Sequence, residues 1–381
     1  MYSKNAINDL YRRIGLAIDI SDEMFEKAVA EYEALGKWID KETPQYKISI
    51  YPQGSFALGT VVRPINDSDD YDIDLVCEFE QSYALTAQEL KLNTVKPLLL
   101  RYKRVDGEIE EKRRCWHVEY EDVPNFHMDI IPAYKDRSII QITEHDEQSN
   151  SYSYIGSNPT GYTRWFFKRC ERQSTRLYEN YVREHKLVVA QADVEKVKRL
   201  KVKTPLQRAI QLLKRHRNIM FSDRDEKLKP ISIIITTVAA QLYQEEDSVY
   251  ETLRNFLNKA PAYILMKKQN GMFYIENPSY AGDNFANKWN EHPERAEAFF
   301  EWLEKAKKDL TGEWLEKSTT IEMASNIKKM LGMNTGNKVF SDIANESHAA
   351  IKEGTLKIDP ATGTLSKTGT ISIPKNHHYG A

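Results

Sequence analysis

Apolar side chains recur at helical spacing twice in the first forty or so residues. The second run is the clearer: Met24, Ala28, Tyr32 and Leu35 form one stripe, Ser21 stands where an N-cap belongs, and Glu23 and Glu26 lie near the positive helix end. From residue 46 the period drops to two, Tyr46, Ile48 and Ile50 alternating against Lys47 and Ser49, which predicts a short strand. Pro52 and Gly54 end it in a turn that carries Ser55. Residues 64–70 read as a loop, because Asn, Asp and Ser bond their own backbone, and a strand resumes over 71–79. A helix over 88–102 follows, then strands over 115–120 and 125–132. In the last of these Phe126, Met128 and Ile130 take one face, and His127, Asp129 and Ile131 the other. Beyond Tyr134 the spacing turns helical, over 159–172, 205–221, 231–243, 293–307 and 321–331, with few convincing strands between. The expected class is α+β, a mixed sheet layer followed by a helical half. Residues 354–381 hold few large apolar groups, so the entropy of ordering them predicts a mobile tail.

Composition narrows the class. A chain of 381 residues, 41% hydrophobic, 29% charged and 10% aromatic, can bury one large core or two smaller ones. Residues 1–13 are polar and charged, and no later stretch nears the roughly 18 apolar residues of a membrane span. A cytoplasmic protein without membrane association is expected. Cys77, Cys115 and Cys170 have neither the C-x-x-C spacing of a zinc site nor the density of a disulfide scaffold, and read as buried apolar residues. A net charge of -2 and a pI near 6.5 argue against a surface wholly committed to nucleic acid, though a local basic face stays open.

Chemistry concentrates in the acids. Asp67, Asp69, Asp70, Asp72 and Asp74 contain overlapping D-x-D pairs, and strand geometry chooses among them. In Asp72-Ile73-Asp74-Leu75-Val76 the alternation puts both carboxylates on one face and Ile73 and Leu75 on the other, whereas Asp67, Asp69 and Asp70 lie in the loop. Two adjacent carboxylates repel each other unless a divalent cation sits between them, and Mg²⁺ is the natural hard-oxygen partner. Asp129, on a second strand with a polar face, supplies a third carboxylate if the strands are neighbours. A D-x-D alone is more often a solvated sheet rim, and a Gly-Ser alone an ordinary turn. Here Gly54-Ser55 precedes the acid pair by one loop, where glycine admits a phosphate to the backbone and Ser55 can donate its hydroxyl.

Gln53-Gly54-Ser55-Phe56, Arg63-Pro64, Asp72-Ile73-Asp74-Leu75-Val76 and His127-Met128-Asp129-Ile130-Ile131-Pro132 together resemble the DNA polymerase beta nucleotidyltransferase superfamily. Within it the sequence is similar to the bacterial cGAS/DncV-like nucleotidyltransferases (CD-NTases) of CBASS anti-phage defence. Ser157-Asn158-Pro159-Thr160-Gly161-Tyr162 with Trp165-Phe166, and Asn284-Phe285-Ala286-Asn287-Lys288-Trp289, extend the resemblance to residue 289. The loop between Ser55 and Asp72 is longer than in some relatives. The resemblance implies a mixed-sheet, polymerase-beta-like core followed by a helical domain in a bilobal cGAS/oligoadenylate-synthase-like architecture. Its expected divisions are 1–155 for the core with N-terminal helices, 156–353 for the helical domain closing the nucleotide cleft, and 354–381 for the tail.

The resemblance also implies a reaction. Asp72, Asp74 and Asp129 would hold two Mg²⁺ ions, with Mn²⁺ as a substitute, and Ser55 would clamp the triphosphate of ATP, GTP or another NTP. Lys214 and Ser232 are the positions that look equivalent to the family's other triphosphate contacts. The bland reading of Lys214, with Arg208, Arg215 and Arg217, is a solvated basic face. The product would be a cyclic di- or trinucleotide messenger, adenine being the family's commonest base, read by a messenger-activated effector. Tyr71, Tyr154 and Asn284 are candidates for base recognition. Some relatives are conjugated through their last residue by a ubiquitin-transfer-like ligase, which makes Ala381 a candidate and such a ligase, or another regulatory partner, an expected one. Direct activation by DNA is not expected, because no Cys/His zinc motif is present. Two readings compete: an RNA-directed or linear oligoadenylate or poly(A) synthase using Lys196, Lys198, Arg199, Lys201 and Lys203 as its RNA face, and a catalytically silent scaffold.

Overall fold

A computed structural model describes residues 4–66, 71–80, 85–102, 105–120, 126–185, 202–358, 365–366 and 370–372. Asp67, Asp69, Asp70, the run from Lys196 to Lys201, and Ala381 lie outside the described residues. Two compact units emerge, and neither is one contiguous stretch. A sheet unit comprises Ile20–Gln207 and Gln269–Asn287; a helical unit comprises Met1–Asp19, Arg208–Lys268 and Lys288–Ala381.

The chain opens with helices α1 (Lys4–Ala17) and α2 (Asp22–Glu42). Ser21 caps α2 as its position suggested, its Oγ accepting from the Met24 N–H at 3.1 Å. Strand β1 (Ile48–Pro52) leads into a single helical turn, α3 (Gly54–Ala57), and β2 (Tyr71–Phe79) follows. The helix expected over 88–102 divides in two. Residues Glu89–Val95 wind as a π-helix, and α4 (Lys96–Arg101) restores α spacing. The Lys96 N–H reaches back five residues to the Lys91 carbonyl, just before Pro97, which has no N–H to offer.

Strands β3 (Val105–Glu111), β4 (Trp116–Tyr120), β5 (Phe126–Asp136), β6 (Ile139–Asp146) and β7 (Ser151–Ser157) complete a seven-stranded mixed sheet. Its order is β1-β2-β5-β4-β3, and β6 joins β5 to β7. Strands β2 and β5 run parallel, and every other pairing is antiparallel. On its other edge β5 pairs with β4 through His127 to Ile130 and with β6 from Ala133 onward. Pro132 falls between those partners, where a missing N–H interrupts neither ladder.

One sheet face carries Ile73, Leu75 and Cys77 of β2, Met128 and Ile130 of β5, and Trp116 and Val118 of β4. Ala28, Leu35 and Ile39 of α2, with Leu90, Val95, Leu98 and Leu99, cover it. Val76, Ile131, Ala133, Ile140 and Ile142 form a smaller apolar cluster on the opposite face. That second face is the one bearing Asp74 and Asp129.

Helices α5 (Pro159–Arg169) and α6 (Glu171–His185) close the first part of the sheet unit. The helical unit contains most of α7 (Pro205–Met220), then α8 (Ser232–Leu242), α9 (Val249–Met266), α10 (Asn287–Glu291), α11 (Pro293–Thr311), α12 (Trp314–Lys317), α13 (Thr320–Leu331) and α14 (Met333–Glu353). Helix α1 belongs with them: its buried Tyr11 ring stacks on Tyr250 of α9, and its hydroxyl donates to the Leu310 carbonyl of α11. Within the expected tail, two-residue strands at Lys357–Ile358, Leu365–Ser366 and Ile371–Ser372 pair antiparallel. Among the described residues no helix is long and apolar enough to cross a membrane.

Candidate active site

Strand register builds the site. In the parallel β2–β5 ladder Asp74 stands opposite Asp129 and Asp72 opposite His127. In the antiparallel β4–β5 ladder Asp129 stands opposite His117 on its other side. Asp74, Asp129 and His117 thus form one row across three adjacent strands, with Asp129 in the middle. The side chain of Asp72 lies outside those described.

The Gly-Ser turn abuts this row. The Gln53 N–H donates to the Asp74 carbonyl at 2.8 Å, which ties the entry of α3 to β2. Gly54 adopts φ +58°, and a Cβ placed there would come within 2.5 Å of Asp74 Oδ2. Both conditions demand glycine: the left-handed backbone, and the approach of the chain to a carboxylate. Phe56 fixes the turn from behind, stacked 4.8 Å from Phe25 of α2 and edge-on to Tyr32.

Electrostatics at Asp129 involve two residues that sequence reasoning passed over. His117 Nδ1 lies 2.8 Å from Asp129 Oδ1, and since a carboxylate only accepts, Nδ1 carries the proton and donates. Cys115 lies near the acids, and desolvation, then the charges of Asp129 and Asp74, push its thiol up to about 12. Cys115 packs against the apolar cluster of the acid-bearing face, as its apolar reading expects, but is half-buried rather than buried. Cys77 and Cys170 are buried, as expected.

These groups fit Mg²⁺ by donor chemistry, two hard carboxylates on adjacent strands, with Gly54 admitting the Asp74 carboxylate close against the turn. No group of three or more His, Cys, Asp or Glu side chains among the described residues could hold an ion. A third carboxylate would come from outside the described side chains, where Asp72 lies.

In the helical unit, Lys214 is 8% exposed and Arg208, Arg215 and Arg217 are buried beside it in sequence, so α7 does not present a solvated basic face. Arg208 donates to Asp19 and to the Gly15 carbonyl. Ser232 is the first residue of α8, and its Oγ accepts from Arg217 Nη1 at 2.9 Å. Arg217 also donates to the Pro230 carbonyl, and burial lowers its pKa to about 10. Arg217 is a further contact of Ser232 that no motif singled out.

Two base-recognition candidates are occupied by the fold. Asn284 Oδ1 accepts from the N–H groups of Ile275 and Ala286, and its Nδ2 donates to the Phe273 carbonyl, so the side chain staples its own loop. Tyr154 donates to the Leu85 carbonyl and packs edge-on against Tyr134. The side chain of Tyr71 lies outside the description. Asn158 caps α5 through Gly161 N–H and donates to the Ser279 carbonyl, which knits the two outlying segments together. The Tyr51 hydroxyl donates to Glu78 on the acid-bearing face.

Residues 48–134 match the family described as cyclic GMP-AMP synthase DncV-like, nucleotidyltransferase domain. The chain is 29% identical over 337 residues to a c-di-GMP synthase of Roseivirga ehrenbergii, covering 86% of this chain and 84% of that protein. It is 25% identical over 293 residues to the cyclic dinucleotide synthase CdnG of Bradyrhizobium diazoefficiens, covering 73% and 69% respectively. The structure of that CdnG in complex with GTP shares the fold, with a TM-score of 0.70 at 20% identity over 88% of this chain and 98% of the other.

Proposed function

We propose that this chain, which belongs to the cGAS/DncV-like nucleotidyltransferases (CD-NTases), joins two nucleoside triphosphates into a cyclic dinucleotide containing guanine. The observation that carries the reading is the pairing of Asp74 with Asp129 beside a turn whose Gly54 leaves no side chain against the Asp74 carboxylate. Asp72, Asp74 and Asp129 would hold two Mg²⁺ ions. When bound, such ions neutralise triphosphate charge and lower the pKa of the attacking hydroxyl. Ser55, half-buried in the turn, offers its hydroxyl to the triphosphate. Each of two couplings then forms one 3′-oxygen-to-phosphorus bond and releases one pyrophosphate. Lys214 and Ser232 enter as triphosphate contacts on the resemblance alone.

The sequence reading favoured adenine. Guanine is preferred here because one relative is named for c-di-GMP and CdnG is seen with GTP. An anti-phage role, a messenger-activated effector, a regulatory or ligase partner and conjugation at Ala381 belong to the same proposal and rest on the resemblance.

Incubation with single and mixed NTPs and Mg²⁺, followed by mass spectrometry, tests it. The expected product is a guanine-containing cyclic dinucleotide made from GTP alone or with ATP, at a rate unaffected by added RNA or duplex DNA. Linear, RNA-dependent oligomers, or no product, would overturn the reading.

A further inference from the structure

Asp129 is the centre of the three-strand row, and β4 approaches it from the side away from Asp74. From that side His117 bonds it through Nδ1 at 2.8 Å. Both Asp129 and His117 are partly shielded, at 25% and 19% side-chain exposure, so the bond between them is less screened than a surface contact.

The turn that ends at Cys115 is itself braced. The Lys91 side chain is fully buried, and its Nζ donates to the carbonyls of Lys112 and Arg113 at 2.6 and 3.2 Å. Trp116, next in sequence, donates its indole N–H to the Lys91 carbonyl. This bracing costs the desolvation of an ammonium, and what it orders is the segment that places His117 against Asp129.

Arginine or lysine in this place would bond the carboxylate more strongly, but each would set a fixed positive charge against it and repel a metal ion. An imidazole N–H fixes the carboxylate's direction without a permanent positive charge. We propose that His117 is a positioning residue that holds the Asp129 carboxylate in its ion-binding orientation. The proposal rests on the nucleotidyltransferase reading of Asp129.

The test uses the full chain with Mn²⁺ and a non-hydrolysable GTP analogue, Mn²⁺ affinity being read by electron paramagnetic resonance beside steady-state kinetics. Asparagine can place an N–H where Nδ1 stands, whereas glutamine reaches toward Nε2. His117→Ala and His117→Gln are expected to lose about 10- to 100-fold in Mn²⁺ affinity and in kcat, with KM for GTP little changed, as outer partners of metal ligands do. His117→Asn is expected to recover most of both. Wild-type affinity and kcat in His117→Ala, or equal behaviour of the Asn and Gln variants, overturns the role of His117. Asp129→Asn separates the two levels: if it stays active the nucleotidyltransferase reading of this site fails, and if it is inactive while His117→Ala is normal only the positioning role fails.

Discussion

Gly54 is the residue at which one methyl group has the most to displace. Its φ of +58° costs an L side chain roughly 1–2 kcal/mol, and the added Cβ would meet Asp74 Oδ2 at 2.5 Å. Gly54→Ala is therefore expected to lower stability by at least about 1–2 kcal/mol in urea denaturation and to abolish product formation by shifting Asp74. A variant with normal melting and normal turnover would show that the turn tolerates the shift. Asp129→Asn should act oppositely on the two readouts. Removing one of two adjacent carboxylates relieves repulsion, so melting should hold or rise while turnover falls by at least about a hundredfold. How much of this was legible is plain from the residue types. Asp72 and Asp74 could be read because alternation along one strand is a local property, and Gly54 because turn glycines are punctuation. His117 and Cys115 could not, because their nearness to Asp129 depends on which strands pair and in what register, and nothing local to 115–117 encodes it.

At the scale of elements, β3, β6 and β7 escaped reading, and two of the three have a poor apolar face. β3 is Val105-Asp106-Gly107-Glu108-Ile109-Glu110-Glu111, and β7 is Ser151-Tyr152-Ser153-Tyr154-Ile155-Gly156-Ser157; both lie at sheet edges, where charge and small polar residues are tolerated. Helix α9 was obscured by Pro261 in its interior, and α14 by Gly336 in its first turn. The loop at 273–286 shows how an apparent recognition residue can be an architectural one. Asn284 satisfies three backbone groups there, so Asn284→Ala should cost about 2–4 kcal/mol in a urea melt while leaving the ratio of GTP to ATP incorporated unchanged. A changed base ratio with unchanged stability would return Asn284 to the base site. Within the helical unit, Asp309 gives a pH signature. Burial alone would raise its pKa, but hydrogen bonds from His216 and Lys305 hold it below the usual carboxylate range. A lowered folded-state pKa contributes stability above the unfolded value of about 3.9, and that contribution is lost as pH falls through the folded one. The stability gap between wild type and Asp309→Asn is thus expected to be full at pH 6 and to shrink below about pH 4, as read from urea midpoints.

The whole molecule is organised by returns of the chain rather than by contiguous halves. Helix α1 packs with α9 and α14, elements more than two hundred residues away, and segment 269–287 joins the sheet unit after the chain has built part of the helical one. Ile7, Leu10, Tyr11 and Ile14 are all buried on α1, and their stripe is completed by Tyr250 and Leu310. At roughly 1.5–3 kcal/mol for each large apolar side chain, this face contributes about 6–12 kcal/mol of gross burial. That is comparable with the net stability of a whole domain, about 5–15 kcal/mol. Polar contacts at the same helix weigh less: the Arg13–Glu346 pair has a glutamate 60% exposed, so Glu346→Gln should cost at most about 1 kcal/mol. Deleting residues 1–19 is accordingly expected to do what no surface substitution does. It should leave the helical unit open to proteolysis and remove its cooperative melt, although both acids of the three-strand row lie beyond the deletion. If the truncated chain instead melts as the intact one does, and Glu346→Gln proves the more damaging change, then α1 is held to the helical unit by charge rather than by its apolar stripe.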